Sequence, residues 1–151
     1  MPRLVVLGGG ESGVGTAVLA KVKGFDVFLS DMGKISEEYA AVLDKWGVQY
    51  EQGKHTEELI LNADEVVKSP GIPATAPMVK KIAEGGIGII SEIEFAGRYD
   101  SAKKICITGS NGKTTTTTLT HKILAGSFKC TDALRLNENL VGERFGTHDA
   151  P

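Results

Sequence analysis

Uninterrupted apolar runs alternate along this chain with longer stretches whose apolar residues recur every three or four positions. Leu4-Val5-Val6-Leu7 has no polar break, the pattern of a strand buried on both faces. Over residues 13–23, Val14, Ala17, Val18 and Val22 form a helical stripe, and Gly24 stops it. Residues 26–30 predict a second strand. Ser36 is placed to cap a helix running through Trp46, with Glu37 and Glu38 in the first turn, where the helix dipole favours acids. A short strand is expected over residues 48–50 and a helix over 56–63. The strand expected over residues 65–68 is stopped by Ser69-Pro70-Gly71. A helix over 76–84, a strand over 87–90 and a short helix over 92–99 complete the series. Strict alternation of this kind implies a parallel sheet with helices on both faces, a doubly wound α/β domain spanning residues 1–99.

Residues 100–104 form a short polar linker. Ile105-Cys106-Ile107-Thr108 then predicts one more strand, and residues 113–124 one more helix, joined by a glycine-containing loop. One strand and one helix cannot bury their own apolar faces, so this unit reads as the start of a truncated second α/β domain. Residues 125–151 show weak periodicity and mixed charge, and this tail is expected to pack poorly.

Composition narrows the function. With 17 Lys+Arg against 19 Asp+Glu the net charge is −2, which gives no electrostatic footprint for nucleic acid or an anionic membrane. The N-terminal apolar run is too short for a signal peptide, and no stretch approaches the roughly 18 apolar residues of a membrane span. A soluble cytoplasmic protein with reduced thiols at Cys106 and Cys130 is expected. Neither these two cysteines nor the scattered His55, His121 and His148 have metal-ligand spacing. Glycine is abundant, 19 of 151 residues, so its placement matters.

Four of those glycines fall in the first motif. Gly8-Gly9-Gly10-Glu11-Ser12-Gly13 fits G-x-G-x-x-G between a strand and a helix, as in the phosphate-binding turn of a Rossmann-like domain. Glycines allow a tight turn and close backbone approach, and free N–H groups at the helix start receive a diphosphate. Asp31 ends the second strand, where an acidic residue commonly meets a ribose or base. The motif does not distinguish NAD from a UDP-sugar, and a tight turn beside an exposed carboxylate would need no ligand at all.

The second motif is Gly109-Ser110-Asn111-Gly112-Lys113-Thr114-Thr115, between the expected strand and helix of the second unit. Its backbone N–H groups can cradle phosphates, Lys113 can reach the β/γ oxygens, and the Thr114 hydroxyl can ligate Mg²⁺. The general phosphate loop has a glycine where Ile107 stands.

Two phosphate sites in series suit a ligase better than a dehydrogenase. Thr108 to Thr115 resembles the ATP loop of the Mur ligase family, T-G-[ST]-N-G-K-[ST]-T, which lacks that first glycine. Ser69-Pro70-Gly71-Ile72 and Ser91-Glu92-Ile93-Glu94-Phe95-Ala96 resemble the branch of the family that adds D-glutamate. The resemblance covers residues 1–124. It implies an ATP- and Mg²⁺-dependent enzyme of peptidoglycan synthesis whose first domain holds UDP-N-acetylmuramoyl-L-alanine. Gly10, Glu11, Ser12 and Gly13 would contact the diphosphate, Asp31 and Met32 would face the uracil, and Ser69, Pro70 and Gly71 would line the same cleft. Members often follow that Asp with Thr and Arg; Met32 and Gly33 stand here instead, so uracil recognition would rest on Asp31 and backbone. Gly109, Ser110, Asn111, Gly112, Lys113, Thr114 and Thr115 would bind ATP, with Lys113 the catalytic residue and Thr114 the metal ligand. The substrate carboxylate would be activated as an acyl phosphate and attacked by the D-glutamate amine.

Past residue 124 the family's remaining metal ligands and amino-acid-binding domain have no counterpart, so the chain alone is expected to be inactive. An NAD-binding oxidoreductase domain and a non-catalytic nucleotide-binding module stay open as alternatives. Trp46 is expected to pack against the core, Cys106 to be a buried filler, and His121 to lie at the surface. Glu92 and Glu94 are expected to serve the helix dipole rather than act as an acid/base pair.

Overall fold

The computed structural model describes residues 1–101, 103, 105–128 and 130. The expectation for the tail lies outside the described residues from 131 onward. The chain divides into two compact units, Met1–Ser101 and Ala102–Pro151.

The first unit contains β1 (Arg3–Leu7), α1 (Glu11–Val22), β2 (Asp26–Asp31), α2 (Glu37–Lys45), β3 (Gln49–Gln52) and α3 (Glu57–Ile60). There follow β4 (Glu65–Lys68), α4 (Pro77–Glu84), β5 (Gly88–Ser91) and α5 (Glu92–Gly97). All five strands are parallel, in the order β3-β2-β1-β4-β5. Central β1 is paired on both sides, with Val5 opposite Phe28 on β2 and Val66 on β4. Alternate residues of each strand point to opposite faces, so the sheet builds two cores. Leu4, Val6, Leu29 and Val67 pack with Val14, Ala17, Leu43 and Phe95 on one face. Val5, Leu7, Phe28 and Val66 pack with Ile60, Met78, Val79 and Ile82 on the other. That two-sided burial explains why the β1 sequence is apolar without alternation.

Element ends differ slightly from expectation, each for a local reason. The strand expected at residues 48–50 begins at Gln49, because Val48 is buried in the core instead of joining the ladder. The helix expected over 56–63 stops at Ile60, where Ala63 N–H turns back onto the Ile60 carbonyl. Ser36 caps α2 as expected, its Oγ accepting from Tyr39 N–H at 3.3 Å. Trp46 terminates α2 and packs, half-buried, against the core of the Leu4 face.

The second unit contains α6 (Lys113–Ala125). The strand expected at Ile105–Thr108 does not form: these residues carry no regular structure. A parallel strand needs a neighbour to receive its N–H and C=O groups, and the described residues of this unit contain no other strand. Cys106, expected as a buried filler of that strand, is exposed. Helix α6 buries none of its residues; Leu119 is 56% and Ile123 75% exposed. His121 is half-buried, with Nε2 3.4 Å from the Cys130 carbonyl.

Candidate nucleotide site

The strand order reverses between β1 and β4, the place where open α/β sheets form a crevice beyond the carboxyl ends of their strands. The glycine loop between β1 and α1 occupies that place. Three of its glycines are crowded within the chain; a Cβ on Gly9 would lie 2.6 Å from Ile35 Cγ1. A Cβ on Gly13 would lie 1.9 Å from the Gly8 carbonyl oxygen, and Gly8, at φ +108°, would set one 2.6 Å from Ser69 Oγ. Gly10 differs, for nothing lies within 4 Å of its Cβ position. It is also the N-cap of α1 and offers no side-chain cap, so the first-turn N–H groups remain available to an anion. Glu11 and Ser12 are exposed beside it.

Asp31 acts inside the loop system. One carboxylate oxygen accepts from Gly9 N–H and the other from Gly33 N–H at 2.6 Å, tying the glycine loop to the turn after β2. Met32 follows with 61% exposure.

The Ser69-Pro70-Gly71 turn is pinned from both ends. Ser69 N–H donates to the Leu7 carbonyl, and the Lys68 ammonium donates to the carbonyls of Ser69 at 3.1 Å and Ile72 at 2.7 Å. Ser69 Oγ donates to Glu92 Oε1 at 2.7 Å, and Ser12 Oγ donates to the same oxygen at 3.0 Å. Glu92 is therefore a buried carboxylate joining α1, the turn after β4 and α5, where the sequence reading gave it only a helix-dipole role. The β4–β5 register, Lys68 opposite Ser91, sets Ser69 beside Glu92. Nothing in the sequence fixed that register.

A cavity of about 610 Å³ opens next to the turn, with Gly8, Asp31, Met32, His55, Gly71 and Ile72 among its walls. Of the expected substrate residues, Asp31, Met32 and Gly71 line it; Gly10, Glu11, Ser12, Gly13, Ser69 and Pro70 lie outside its wall. Below His55 sits a polar cluster that sequence reading missed. Ser30 Oγ lies 2.8 Å from Glu51 Oε1 and 2.6 Å from His55 Nδ1, while Glu51 accepts from Thr56 N–H and Thr56 Oγ1. Burial by itself would raise the Glu51 pKa. Hydrogen bonds from Thr56 and Ser30 and the nearby Lys54 charge outweigh it and hold the carboxyl below its ordinary value. Burial holds His55 below its ordinary value, against the opposing pull of the Glu51 and Asp31 charges. A signal existed: Ser30 directly follows the apolar run Val27-Phe28-Leu29 of β2, and a buried hydroxyl requires partners.

In the second unit, Gly109 at φ +146° and Gly112 at φ +76° hold backbone shapes that other residues rarely adopt. Gly112 is the N-cap of α6 and provides no side-chain cap. The Lys113 ammonium donates to the carbonyls of Gly109 and Ser110, curling over its own loop. Glycine backbone, an uncapped helix start, an ammonium group and the hydroxyls of Thr114 and Thr115 make a donor set that fits a polyphosphate. Among the described residues no group of three or more His, Cys, Asp or Glu could hold a metal ion. No described helix is long and apolar enough to cross a membrane.

Comparison with known proteins identifies the family of this fold. Residues 3–78 match the family model described as the MurD N-terminal domain. The chain is 66% identical over 123 residues to UDP-N-acetylmuramoylalanine–D-glutamate ligase of Bacteroides fragilis, covering 82% of this chain and 28% of that protein. It is 60% identical over 142 residues to the Bacteroides thetaiotaomicron enzyme of the same name, covering 94% of this chain and 30% of the relative. It thus spans less than a third of these relatives. Among solved structures, a pseudomurein peptide ligase type C from Methanothermus fervidus aligns with TM-score 0.59 and 32% identity, covering 84% of this chain and 26% of that one. The murein peptide ligase Mpl from Psychrobacter arcticus aligns with TM-score 0.62 and 27% identity, covering 83% and 26% respectively. A doubly wound parallel sheet in a chain half of whose residues match that family model places the chain in the MurD N-terminal domain family.

Proposed function

We propose that this chain is the nucleotide-binding part of a cytoplasmic ligase that adds D-glutamate to UDP-N-acetylmuramoyl-L-alanine in peptidoglycan synthesis. The observation carrying the proposal is the uncapped start of α1, with unobstructed space at Gly10, at the reversal of strand order. The N–H groups of Glu11, Ser12 and Gly13 would receive the diphosphate, supported by the helix dipole. Ser69 would face the same anion, and the cavity beside Asp31, Met32 and Gly71 would take the nucleoside.

In the second unit the loop from Gly109 to Thr115 would hold ATP, with the Thr114 hydroxyl on Mg²⁺. When bound, ATP supplies the phosphoryl group that activates the substrate carboxylate. Lys113 would offset the charge on the transferring phosphoryl. Its ammonium donates to the Gly109 and Ser110 carbonyls, so binding would exchange neutral acceptors for charged ones. Phosphoryl transfer requires groups positioned on several sides. One loop provides one side, and the chain alone should show no ligase activity.

Thermal unfolding with UDP-N-acetylmuramoyl-L-alanine, NADH or Mg-ATP added separately tests the reading. Saturation at 100 times Kd contributes about 2.7 kcal/mol, which raises Tm by several degrees. A rise with the UDP compound and none with NADH is the expected result; the reverse would make the chain a dinucleotide-binding domain.

A further inference from the structure

The cluster beneath the cavity fixes the position of a proton. Ser30 is fully buried, and its hydroxyl has three polar neighbours: Glu51 Oε1 at 2.8 Å, the Lys54 carbonyl at 3.4 Å and His55 Nδ1 at 2.6 Å. The first two carry no hydrogen and can only accept, so a hydrogen between Ser30 and either of them must come from the hydroxyl. Glu51, anionic and closer, takes it, because a charge-assisted bond is the stronger. The opposite assignment, with Ser30 donating to His55, would turn the hydroxyl lone pairs onto the carboxylate with no hydrogen between them. Ser30 therefore accepts from His55, and the imidazole carries its hydrogen on Nδ1.

A neutral ring in that tautomer presents a bare lone pair at Nε2. Burial favours the neutral ring, and Nε2 has no hydrogen-bond partner among the described residues. His55 forms part of the cavity wall together with Asp31, Met32 and Ile72. We propose that His55 Nε2 is a specificity-determining acceptor of this pocket, set by the Glu51–Ser30–His55 relay to read an N–H or O–H donor on the nucleoside part of the ligand. The proposal rests on the nucleoside-diphosphate reading above. A carbonyl or phosphate oxygen placed at Nε2 would find no hydrogen, so the relay selects for donors and against acceptors. The imide N–H of a pyrimidine base and a ribose hydroxyl share this chemistry.

Two measurements decide it. Imidazole ¹⁵N–¹H correlation spectra of the ¹⁵N-labelled chain at neutral pH should show Nδ1 protonated and Nε2 bare, with the preference relaxing in Ser30→Ala. Calorimetric titration should then compare UDP with its N3-methyl, 2′-deoxy and 3′-deoxy analogues on wild type and His55→Ala. One analogue should bind wild type roughly tenfold more weakly than UDP, and the gap should close to within about twofold in His55→Ala. The analogue that fails identifies base or ribose as the donor. Protonated Nε2, UDP-like binding of all three analogues, or an undiminished gap in His55→Ala would each overturn the proposal. Failure of UDP itself to bind wild type would overturn the nucleotide reading on which it rests, a result distinct from an undiminished gap.

Discussion

The two units of this chain start from the same local ingredients, an apolar segment, a glycine loop and a helix, and reach different ends. In the first, Leu4-Val5-Val6-Leu7 is buried completely between β2 and β4 and beneath helices on both sides. In the second, Ile105-Cys106-Ile107-Thr108 pairs with no strand among the described residues, and Ile105 is 61% exposed. Both segments are largely apolar; what separates them is the number of neighbours. A parallel strand is made by what pairs with it, whereas a helix satisfies its own backbone, so α6 forms without a core and the strand does not.

Substitutions in the two apolar segments should separate them most widely. Leu4→Ala removes a fully buried side chain and should lower unfolding free energy by about 2–5 kcal/mol in urea, followed by Trp46 fluorescence. Ile123→Ala on exposed α6 should shift the same transition by less than about 0.5 kcal/mol. Equal effects would mean that α6 contributes to the stability reported by Trp46.

The glycine loops provide a finer contrast. Gly13→Ala forces a methyl onto the Gly8 carbonyl and should cost about 1–3 kcal/mol in the same assay. Gly112→Ala meets open space and pays only for its left-handed backbone, about 1 kcal/mol confined to the α6 loop. Its effect should appear in ATP binding and leave the Trp46 transition in place.

Acid should act on the first unit through the Ser30 cluster. Both Glu51 and His55 have pKa values lowered by folding, so between the ordinary value and the lowered one the unfolded chain binds more protons and stability falls as pH falls. The His55 contribution is complete above its ordinary value of 6.5 and declines below it; that of Glu51 declines below 4.5. Tm measured from pH 7.5 to pH 4 should therefore drop in two stages, and His55→Asn should remove the upper one. At the small end, Ser36→Ala should lose about 1 kcal/mol with the α2 cap.

Much of the first unit could be read from the chain. Apolar runs and helical periodicity located every one of its strands and helices to within a few residues, because most of them bury side chains in the two cores. The glycine loop was legible for the same reason that it works: Gly8 and Gly13 are dictated by close approach of backbone. Side-chain partnerships across the sheet were not legible. Glu92 meets Ser12 and Ser69 across about 80 and 23 positions of sequence, through a register no local pattern encodes. Asp31 lines the cavity, and its oxygens also hold Gly9 and Gly33, contacts that no local pattern encodes. The strand at 105–108 was misread because apolar content reports what a segment would bury, not whether a partner is present.

The Asp31 clasp has a kinetic meaning. A loop fastened to the end of β2 acquires its shape when the domain folds, before any ligand arrives. Binding then requires no search by the loop, and the entropy of ordering those glycines is excluded from the association equilibrium. Encounter should be limited by diffusion and charge rather than by rearrangement, giving single-exponential association with a rate linear in ligand concentration. Asp31→Ala would return that ordering step to the binding event, and the rate would level off as concentration rises.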